Sequence, residues 1–210
     1  MTKIKICGMR DAANIKEIAG LSPDYMGFIF YKKSPRYVGD DWDPAVIAQV
    51  PPEVRRIGVF VNEPEANMEA AADKYRLFGV QLHGNESPEK CRSMKMNGLI
   101  VIKAFGVNGA LDLDFMEMYD RHCDYFLFDT ASKNHGGAGE KFDWERLKTY
   151  KGDTPFFLSG GIGPDDVEAI RSLNMPNFHA VDVNSRFETE PGIKNVEACR
   201  RFIGELRKRI

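Results

Sequence analysis

Eight short apolar segments recur along the chain, and most are followed by a segment with helical periodicity. Runs of Ile, Val, Phe and Leu without polar alternation are typical of parallel strands buried on both faces. Eight strand–helix units in 210 residues predict an α/β fold closed into a single eight-stranded parallel (β/α)8 barrel, a TIM barrel. The predicted strands cover residues 3–7, 25–30, 56–61, 78–82, 99–104, 125–129, 155–159 and 179–183.

Helical patterns fill the intervals between these strands, although the segments after strands two and five are poorly marked. An open doubly wound sheet is the alternative architecture, and its first turn is expected to read G-x-G-x-x-G. This chain has Cys7-Gly8-Met9-Arg10-Asp11 there, which favours the barrel. No linker or compositional break occurs, so residues 1–210 are expected to form one domain. The predicted helices include residues 11–20, 65–75, 88–96, 165–173 and 194–209.

The charge and composition of the chain indicate which kinds of molecule it is expected to bind. The net charge of −2 suggests neither nucleic acid nor a membrane surface, whereas a small anionic substrate needs only a local cationic site. Apolar stretches fall short of the ~20 residues of a spanning helix, and the first residues lead directly into a strand. The cysteines lack C-x-x-C spacing, so we expect reduced thiols and a cytoplasmic location. They are Cys7, Cys91, Cys123 and Cys199.

Two residues at predicted strand ends can exchange protons. The active site of such a barrel lies at the carboxyl ends of its strands, where Cys7 follows strand one and Asp129 ends strand six. Cationic neighbours would make the thiol a base, although free cysteine is often only a small buried hydrophobe. Apolar surroundings would keep the carboxyl protonated as a general acid, although an aspartate there often only caps a turn. Together they predict an acid–base site.

The loops after strands seven and eight are where barrel enzymes commonly bind phosphate on backbone N–H groups. Gly160-Gly161 and Asn184-Ser185 occupy these places. A glycine-rich loop, residues 133–139, follows strand six, and it is either a flexible connection or a lid that adds amides for phosphate. These positions predict a phosphorylated small-molecule substrate.

Arg36 and His83 are the remaining candidates at the mouth of the barrel. The fork of Arg36 suits a substrate carboxylate, although a solvated basic turn is the simpler interpretation. His83 either shapes the pocket beside Cys7 or is a structural histidine. No residue cluster has metal-ligand spacing and no cofactor motif occurs, so we expect neither metal nor cofactor.

Taken in order, these motifs resemble the phosphoribosylanthranilate isomerase family of tryptophan biosynthesis over nearly the whole chain. The segments that carry the resemblance are Lys5-Ile6-Cys7-Gly8, Gly27-Phe28-Ile29-Phe30, Ser34-Pro35-Arg36-Tyr37, Gly58-Val59-Phe60-Val61-Asn62, Val80-Gln81-Leu82-His83-Gly84, Phe128-Asp129-Thr130, Gly136-Gly137-Ala138-Gly139, Phe142-Asp143-Trp144, Leu158-Ser159-Gly160-Gly161-Ile162 and Val181-Asp182-Val183-Asn184-Ser185.

The resemblance implies an aldose–ketose isomerase that performs an Amadori rearrangement of N-(5-phosphoribosyl)anthranilate without a cofactor. Cys7 matches the family base, Asp129 its acid, and Arg36 the residue facing the anthranilate carboxylate, with His83 beside the substrate. The resemblance does not fix the oligomeric state, monomer or homodimer. The expected phosphate-binding residues are Gly136, Gly137, Gly160, Gly161, Asp182, Asn184 and Ser185.

Two residues depart from the family pattern, and two other functions are compatible with a barrel of this kind. Arg186 stands where many relatives have a smaller residue, and Asn184 where a serine is common, so we expect the phosphate contacts of the last loop to differ from the family pattern. Another phosphosugar isomerase on the same barrel is the first alternative, but the twofold repeat with paired aspartates expected of the histidine-pathway relative is missing. The second is a non-catalytic phosphometabolite-binding barrel, which would not need both Cys7 and Asp129.

Overall fold

Eight parallel strands close into a barrel in the computed structural model, which describes residues 1–107, 109–130 and 141–208. The strands pair in sequence order and β8 pairs with β1, so the predicted fold class is confirmed. The strands are β1 (Lys3–Ile6), β2 (Tyr25–Ile29), β3 (Arg55–Phe60), β4 (Gly79–Leu82), β5 (Ile100–Val107), β6 (Tyr125–Thr130), β7 (Phe156–Leu158) and β8 (Phe178–Val183).

Helices cover the outside of the barrel, and polar residues begin several of them. Asp11, Ser87 and Asn195 each accept a backbone N–H from the first turn of the following helix, as N-caps do. The helices are α1 (Ala12–Ala19), α2 (Pro44–Ala48), α3 (Glu65–Tyr75), α4 (Pro88–Met96), α5 (Leu113–Glu117), α6 (Val167–Arg171) and α7 (Val196–Arg207). No helix among the described residues is both long enough and apolar enough to cross a membrane.

Two predicted helices are shorter than expected. The segment predicted at 165–173 forms a 3-10 turn, Pro164–Asp166, before α6, because Pro164 and the Asp166 carboxylate fix a tight first turn on the Gly163 N–H. The segment predicted at 194–209 starts later, because residues 193–194 instead pair with Glu188–Glu190 in a small hairpin of strands β9 (Glu188–Glu190) and β10 (Ile193–Lys194).

The core has two parts. A large cluster fills the space between the sheet and the helices, and a smaller one lies inside the barrel. The inner cluster is apolar, whereas Lys5, Gln81 and Asp182 are polar and fully or almost fully buried towards the carboxyl ends of their strands. The inner cluster contains Tyr25, Ile57, Ile102, Ala104, Leu127, Phe157 and Ala180.

The first and last units meet along a seam held by contacts distant in sequence. Lys5 lies opposite Asp182 in the β1–β8 pair. The Asn14 side chain donates to the Lys194 carbonyl at 2.9 Å and accepts from the Lys194 N–H at 2.7 Å. Because both groups are buried, these hydrogen bonds satisfy backbone atoms that would otherwise lack partners. The seam therefore fixes the hairpin beside the end of β1.

Candidate active site

Cys7 follows β1 at the mouth of the barrel, as the sequence predicts. Its backbone N–H donates to the Val183 carbonyl at 2.9 Å, and its side chain is almost fully buried. The thiol fits because residue 27 on the neighbouring strand is glycine: a Cβ atom there would lie 2.7 Å from the Cys7 Sγ. Gly27 thus gives the sulfur its space.

Charged side chains surround the thiol. Burial raises the pKa of Cys7, and Asp182 adds to that effect, while Lys5 and Lys194 lower it. The sequence-based expectation that cationic neighbours lower the pKa is therefore only partly right, because desolvation is the larger effect. Lys5 and Lys194 are the groups that stabilise a Cys7 thiolate when one forms.

Lys5 and Asp182 form an ion pair inside the barrel. The Lys5 Nζ donates to the two carboxylate oxygens of Asp182 at 3.0 and 3.1 Å, and neither side chain is more than 6% exposed. Burial lowers the pKa of Lys5, but the neighbouring Asp182 carboxylate and Cys7 more than compensate, so its pKa is raised and the amine stays charged. The Asp182 carboxylate faces Lys5, and the phosphate contact expected of this residue stays a prediction.

Asp129 lies near the end of β6, three strands from the β1 strand that precedes Cys7, counted through β8 and β7. Its Oδ1 accepts the Thr130 N–H at 2.8 Å, and the residue is 8% exposed. Gly160 packs against this carboxyl, because a Cβ there would lie 3.1 Å from the Asp129 Oδ1. The glycine after β7 therefore lets the backbone approach Asp129 closely.

His83 connects Asp129 to the interior. Its Nε2 lies 3.3 Å from the Asp129 Oδ2, and its Nδ1 lies 2.7 Å from the Gln81 Nε2. The Gln81 Oε1 in turn accepts from the Lys5 Nζ at 2.7 Å. Gln81 is a residue that sequence reasoning did not select. Its inward-facing position in β4, two residues before His83 at the strand end, was the available signal.

A buried ion pair supports the loop that carries His83. Lys103 is 2% exposed, and its Nζ donates to the Gly84 carbonyl at 2.7 Å and the Glu86 carboxylate at 3.2 Å. Glu86 in turn accepts the backbone N–H groups of Asn62 and Gly84. Lys103 and Glu86 therefore hold the backbone of the turn after β4, which restricts the position of the His83 imidazole.

Arg36 differs from the sequence-based interpretation. Its Nε and Nη2 bind the carboxylate of Glu188, with the shortest contact 2.6 Å from Nη2 to Oε2, and the residue is only 8% exposed. Lys194 binds the same carboxylate at 2.5 Å. Arg36 is thus not a solvated turn residue. Its Nε and Nη2 groups are also not free to bind a substrate carboxylate, because Glu188 accepts from both. Glu188 and Lys194 were not predicted as site residues.

The predicted phosphate residues are partly brought together. Gly160 and Gly161 adopt positive φ angles of 86° and 63° after β7, a conformation that favours glycine. Ser185 begins a half-buried 3-10 turn after β8, whereas the Asn184 Oδ1 accepts from the Lys194 Nζ at 2.8 Å. The Asn184 oxygen is therefore directed at Lys194. Gly136 and Gly137 lie outside the described residues.

A cavity of about 750 Å³ opens beside Asp129 and His83. Its volume suits a small-molecule ligand with an aromatic part. No group of three or more His, Cys, Asp or Glu side chains within the described ranges is arranged to hold a metal ion. Lining residues include His83, Lys103, Phe105, Phe115, Tyr119 and Asp129.

Known proteins match the chain in sequence and in structure. The sequence profile of the N-(5'phosphoribosyl)anthranilate (PRA) isomerase family matches residues 4–205. The N-(5'-phosphoribosyl)anthranilate isomerase of Parabacteroides distasonis is 44% identical over 206 residues, covering 97% of this chain and 92% of that protein. The protein of the same name from Phocaeicola vulgatus is 42% identical, covering 99% and 98%.

Solved structures agree with this assignment. The phosphoribosyl anthranilate isomerase of Thermotoga maritima superposes with a TM-score of 0.85 at 34% identity, over 99% of both chains. A phosphoribosyl anthranilate isomerase in complex with reduced 1-(o-carboxyphenylamino)-1-deoxyribulose 5-phosphate gives a TM-score of 0.82 at 33% identity, again over 99% of both chains. The profile spans almost the whole chain, and the identities are high. The chain belongs to the N-(5'-phosphoribosyl)anthranilate isomerase family.

Proposed function

We propose that this protein isomerises N-(5'-phosphoribosyl)anthranilate to 1-(o-carboxyphenylamino)-1-deoxyribulose 5-phosphate, a step of tryptophan biosynthesis. The observation that carries the proposal is the placement of a thiol and a carboxyl group at one mouth of a barrel whose family has this activity. The reaction moves protons between carbon and oxygen, and it needs an acid and a base. Cys7 and Asp129 supply both.

Asp129 acts first, as the general acid. It gives its proton to the ring oxygen of the ribose, and the C1–O bond breaks with its electron pair moving to that oxygen. The nitrogen lone pair then forms a C1=N bond, which gives an open-chain Schiff base. Thr130 and His83 hold the carboxyl in place through one contact to each oxygen.

Cys7 acts second, as the general base. Its thiolate takes the proton from C2 of the sugar; the C–H electron pair forms a C1=C2 bond, and the C=N electrons return to nitrogen. The enolamine then becomes the ketone as C1 gains a proton and the C2 hydroxyl loses one. Transfer of the Cys7 proton to C1 and of the hydroxyl proton to Asp129 restores both groups, so no proton is lost.

The two anionic ends of the substrate need separate contacts. We assign the phosphate to the backbone around Gly160 and Gly161 with Ser185, a region where positive φ angles and a short turn present N–H groups. Gly136, Gly137 and the Asn184 backbone remain proposed members of this site. For the anthranilate carboxylate, Glu188 occupies Nε and Nη2 of Arg36, so the Nη1 edge is the part we assign to the substrate.

The net charge and the free cysteines bear on the partners and the cellular compartment of the enzyme. We assign it a small phosphorylated substrate and neither a nucleic acid nor a membrane partner. The four cysteines are all free, which supports a reducing compartment such as the cytoplasm. Either a monomer or a homodimer is compatible with a site built from one chain.

The test uses purified protein and N-(5'-phosphoribosyl)anthranilate generated in the cuvette, because this compound is labile. Loss of anthranilate-type fluorescence should be much faster than spontaneous decay, and Cys7→Ala should remove the acceleration while the protein stays folded. Decay at the spontaneous rate with folded, unaltered protein would contradict the proposal and favour a different phosphosugar isomerase. Cys199→Ala, a change at another buried cysteine, serves as the matched control and should keep turnover.

A further inference from the structure

A continuous row of polar side chains runs across the barrel from the ion pair beside Cys7 to the acid, Asp129. It begins at Asp182, passes through Lys5, Gln81 and His83, and ends at Asp129, with links of 3.0, 2.7, 2.7 and 3.3 Å. Lys5 and Gln81 are at most 1% exposed, and the His83 side chain is 15% exposed. Buried polar groups of this kind are retained only when their hydrogen bonds are satisfied.

Only one assignment of donors and acceptors satisfies all the hydrogen bonds in this row of side chains. The Lys5 ammonium has only donors, so the Gln81 atom facing it must be the carbonyl oxygen Oε1. The amide nitrogen of Gln81 then faces the His83 Nδ1, and that nitrogen must be an acceptor without a proton. The neutral imidazole therefore carries its proton on Nε2, which points at the Asp129 Oδ2.

We propose that Lys5 and Gln81 are positioning residues that hold His83 as a neutral imidazole protonated on Nε2, so that His83 supports Asp129 without ionising it. This proposal rests on the isomerase function proposed above. An imidazolium would have N–H groups on both ring atoms, and its Nδ1–H would face the Gln81 N–H. Gln81 thus disfavours protonation of His83 by placing a donor against a donor.

The neutral state of His83 matters for the acid. A cationic imidazole 3.3 Å from the carboxyl would hold Asp129 as a carboxylate by Coulomb attraction, and a carboxylate has no proton to give. A neutral N–H donor orients the same oxygen, and the second lone pair of each oxygen leaves room for the acidic proton. The charged groups that face His83 are Asp129 on β6 and, further inside, Asp182 on β8 and Lys5 on β1.

The first experiment reads the protonation of His83 directly. The chain has four histidines, so 15N-histidine labelling gives a simple spectrum, and His83→Gln identifies the signal of residue 83. In the unaltered protein near neutral pH, we expect His83 to be neutral and protonated on Nε2. In Gln81→Glu, whose carboxylate accepts from Nδ1, both ring nitrogens should be protonated at the same pH. A Nδ1–H tautomer or an imidazolium in the unaltered protein would overturn the proposal.

The second experiment asks whether the effect on turnover passes through His83. Gln81→Glu should lower kcat by at least about tenfold, since a positioned acid contributes about 10²–10⁴-fold. His83→Gln keeps a neutral donor but has no imidazole to ionise, so adding Gln81→Glu to it should change kcat by less than about twofold. Equal losses in both backgrounds would mean that Gln81→Glu only distorts the barrel, and would refute the proposal.

Controls separate the two proposals. Circular dichroism and thermal unfolding confirm that each variant folds. Absence of turnover in the unaltered protein rejects the isomerase function, while the NMR result still decides the state of His83. Turnover in the unaltered protein together with additive variants rejects only the positioning role.

Discussion

The base and the acid of this site are supported by different kinds of groups. Cys7 lies among buried ions, with Lys5 and Lys194 close enough to affect its pKa. Asp129 instead accepts the Thr130 backbone N–H and lies 3.3 Å from the His83 Nε2. A thiol that must become an anion gains from nearby cations, whereas a carboxylic acid that must keep its proton is better served by neutral donors. The fold supplies both environments on one ring of strands.

The largest expected effect tests the acid side. Asp129→Asn should lower kcat by about 10²–10⁴-fold, because an amide cannot deliver the acidic proton. Stability should change little, since the amide oxygen still accepts the Thr130 N–H. The fluorescence assay and urea unfolding measure the two quantities. Asp124→Asn, just before the other end of β6, is the matched control, and near-normal turnover of Asp129→Asn would contradict the assignment.

The next effect tests the ions behind the base. Lys5→Met leaves the buried Asp182 carboxylate without its partner and should lower the free energy of unfolding by about 3–5 kcal/mol. Adding Asp182→Leu removes the unpaired charge and should recover part of this loss without recovering turnover. Urea unfolding of both variants measures the difference. A double variant as unstable as Lys5→Met would show that charge burial is not the cause.

A smaller effect tests the space around the thiol. Gly27→Ala places a Cβ 2.7 Å from the Cys7 Sγ and should lower the free energy of unfolding by about 1–3 kcal/mol, the usual range for overpacking. Gly204→Ala is the matched control, because a Cβ there meets no atom within 4 Å and lies inside α7. That change should stabilise the protein by about 0.5–1 kcal/mol. Equal behaviour of the two variants would argue against close packing at Cys7.

The smallest effect concerns alkaline pH. Because burial raises the pKa of Cys7, the folded protein keeps a proton that the unfolded chain releases. Stability should therefore fall as pH rises above the ordinary thiol range, with a slope from this group of at most about 1.4 kcal/mol per pH unit. Cys7→Ser lacks that proton and should show a shallower slope in urea unfolding at successive pH values. Cys199, whose pKa burial raises to about 11, contributes equally to both proteins. Identical slopes would mean that the Cys7 pKa is not raised.

Much of the architecture was predictable because strand and helix patterns are local. All eight strands lie within a few residues of their predicted bounds, and Cys7 and Asp129 lie where the strand count places them. The groups that tune the site were harder to predict, because their partners are distant in sequence. Lys5 and Asp182 are 177 residues apart, and Arg36 and Glu188 are 152 apart.

Arg36 and Gln81 illustrate this limit. The basic loop around Arg36 gives no sign that a carboxylate from the last loop fills its fork, since that contact exists only once the barrel closes. Gln81 sits in an apolar strand and resembles a lone polar residue until Lys5 and His83 are seen on either side of it. Sequence patterns identify which residues face inward, but not which inward-facing groups meet across the lumen.

The seam between the first and last units has a consequence for synthesis on the ribosome. Lys5 and Cys7 are made before Asp182, Glu188 and Lys194, which lie more than 170 residues later in the chain. A nascent chain with seven units thus contains the base and a lysine destined for burial, but neither the counter-charge of that lysine nor the second cation near the thiol. Lys5 and Cys7 therefore gain their charged partners only when the eighth strand–helix unit has left the exit tunnel.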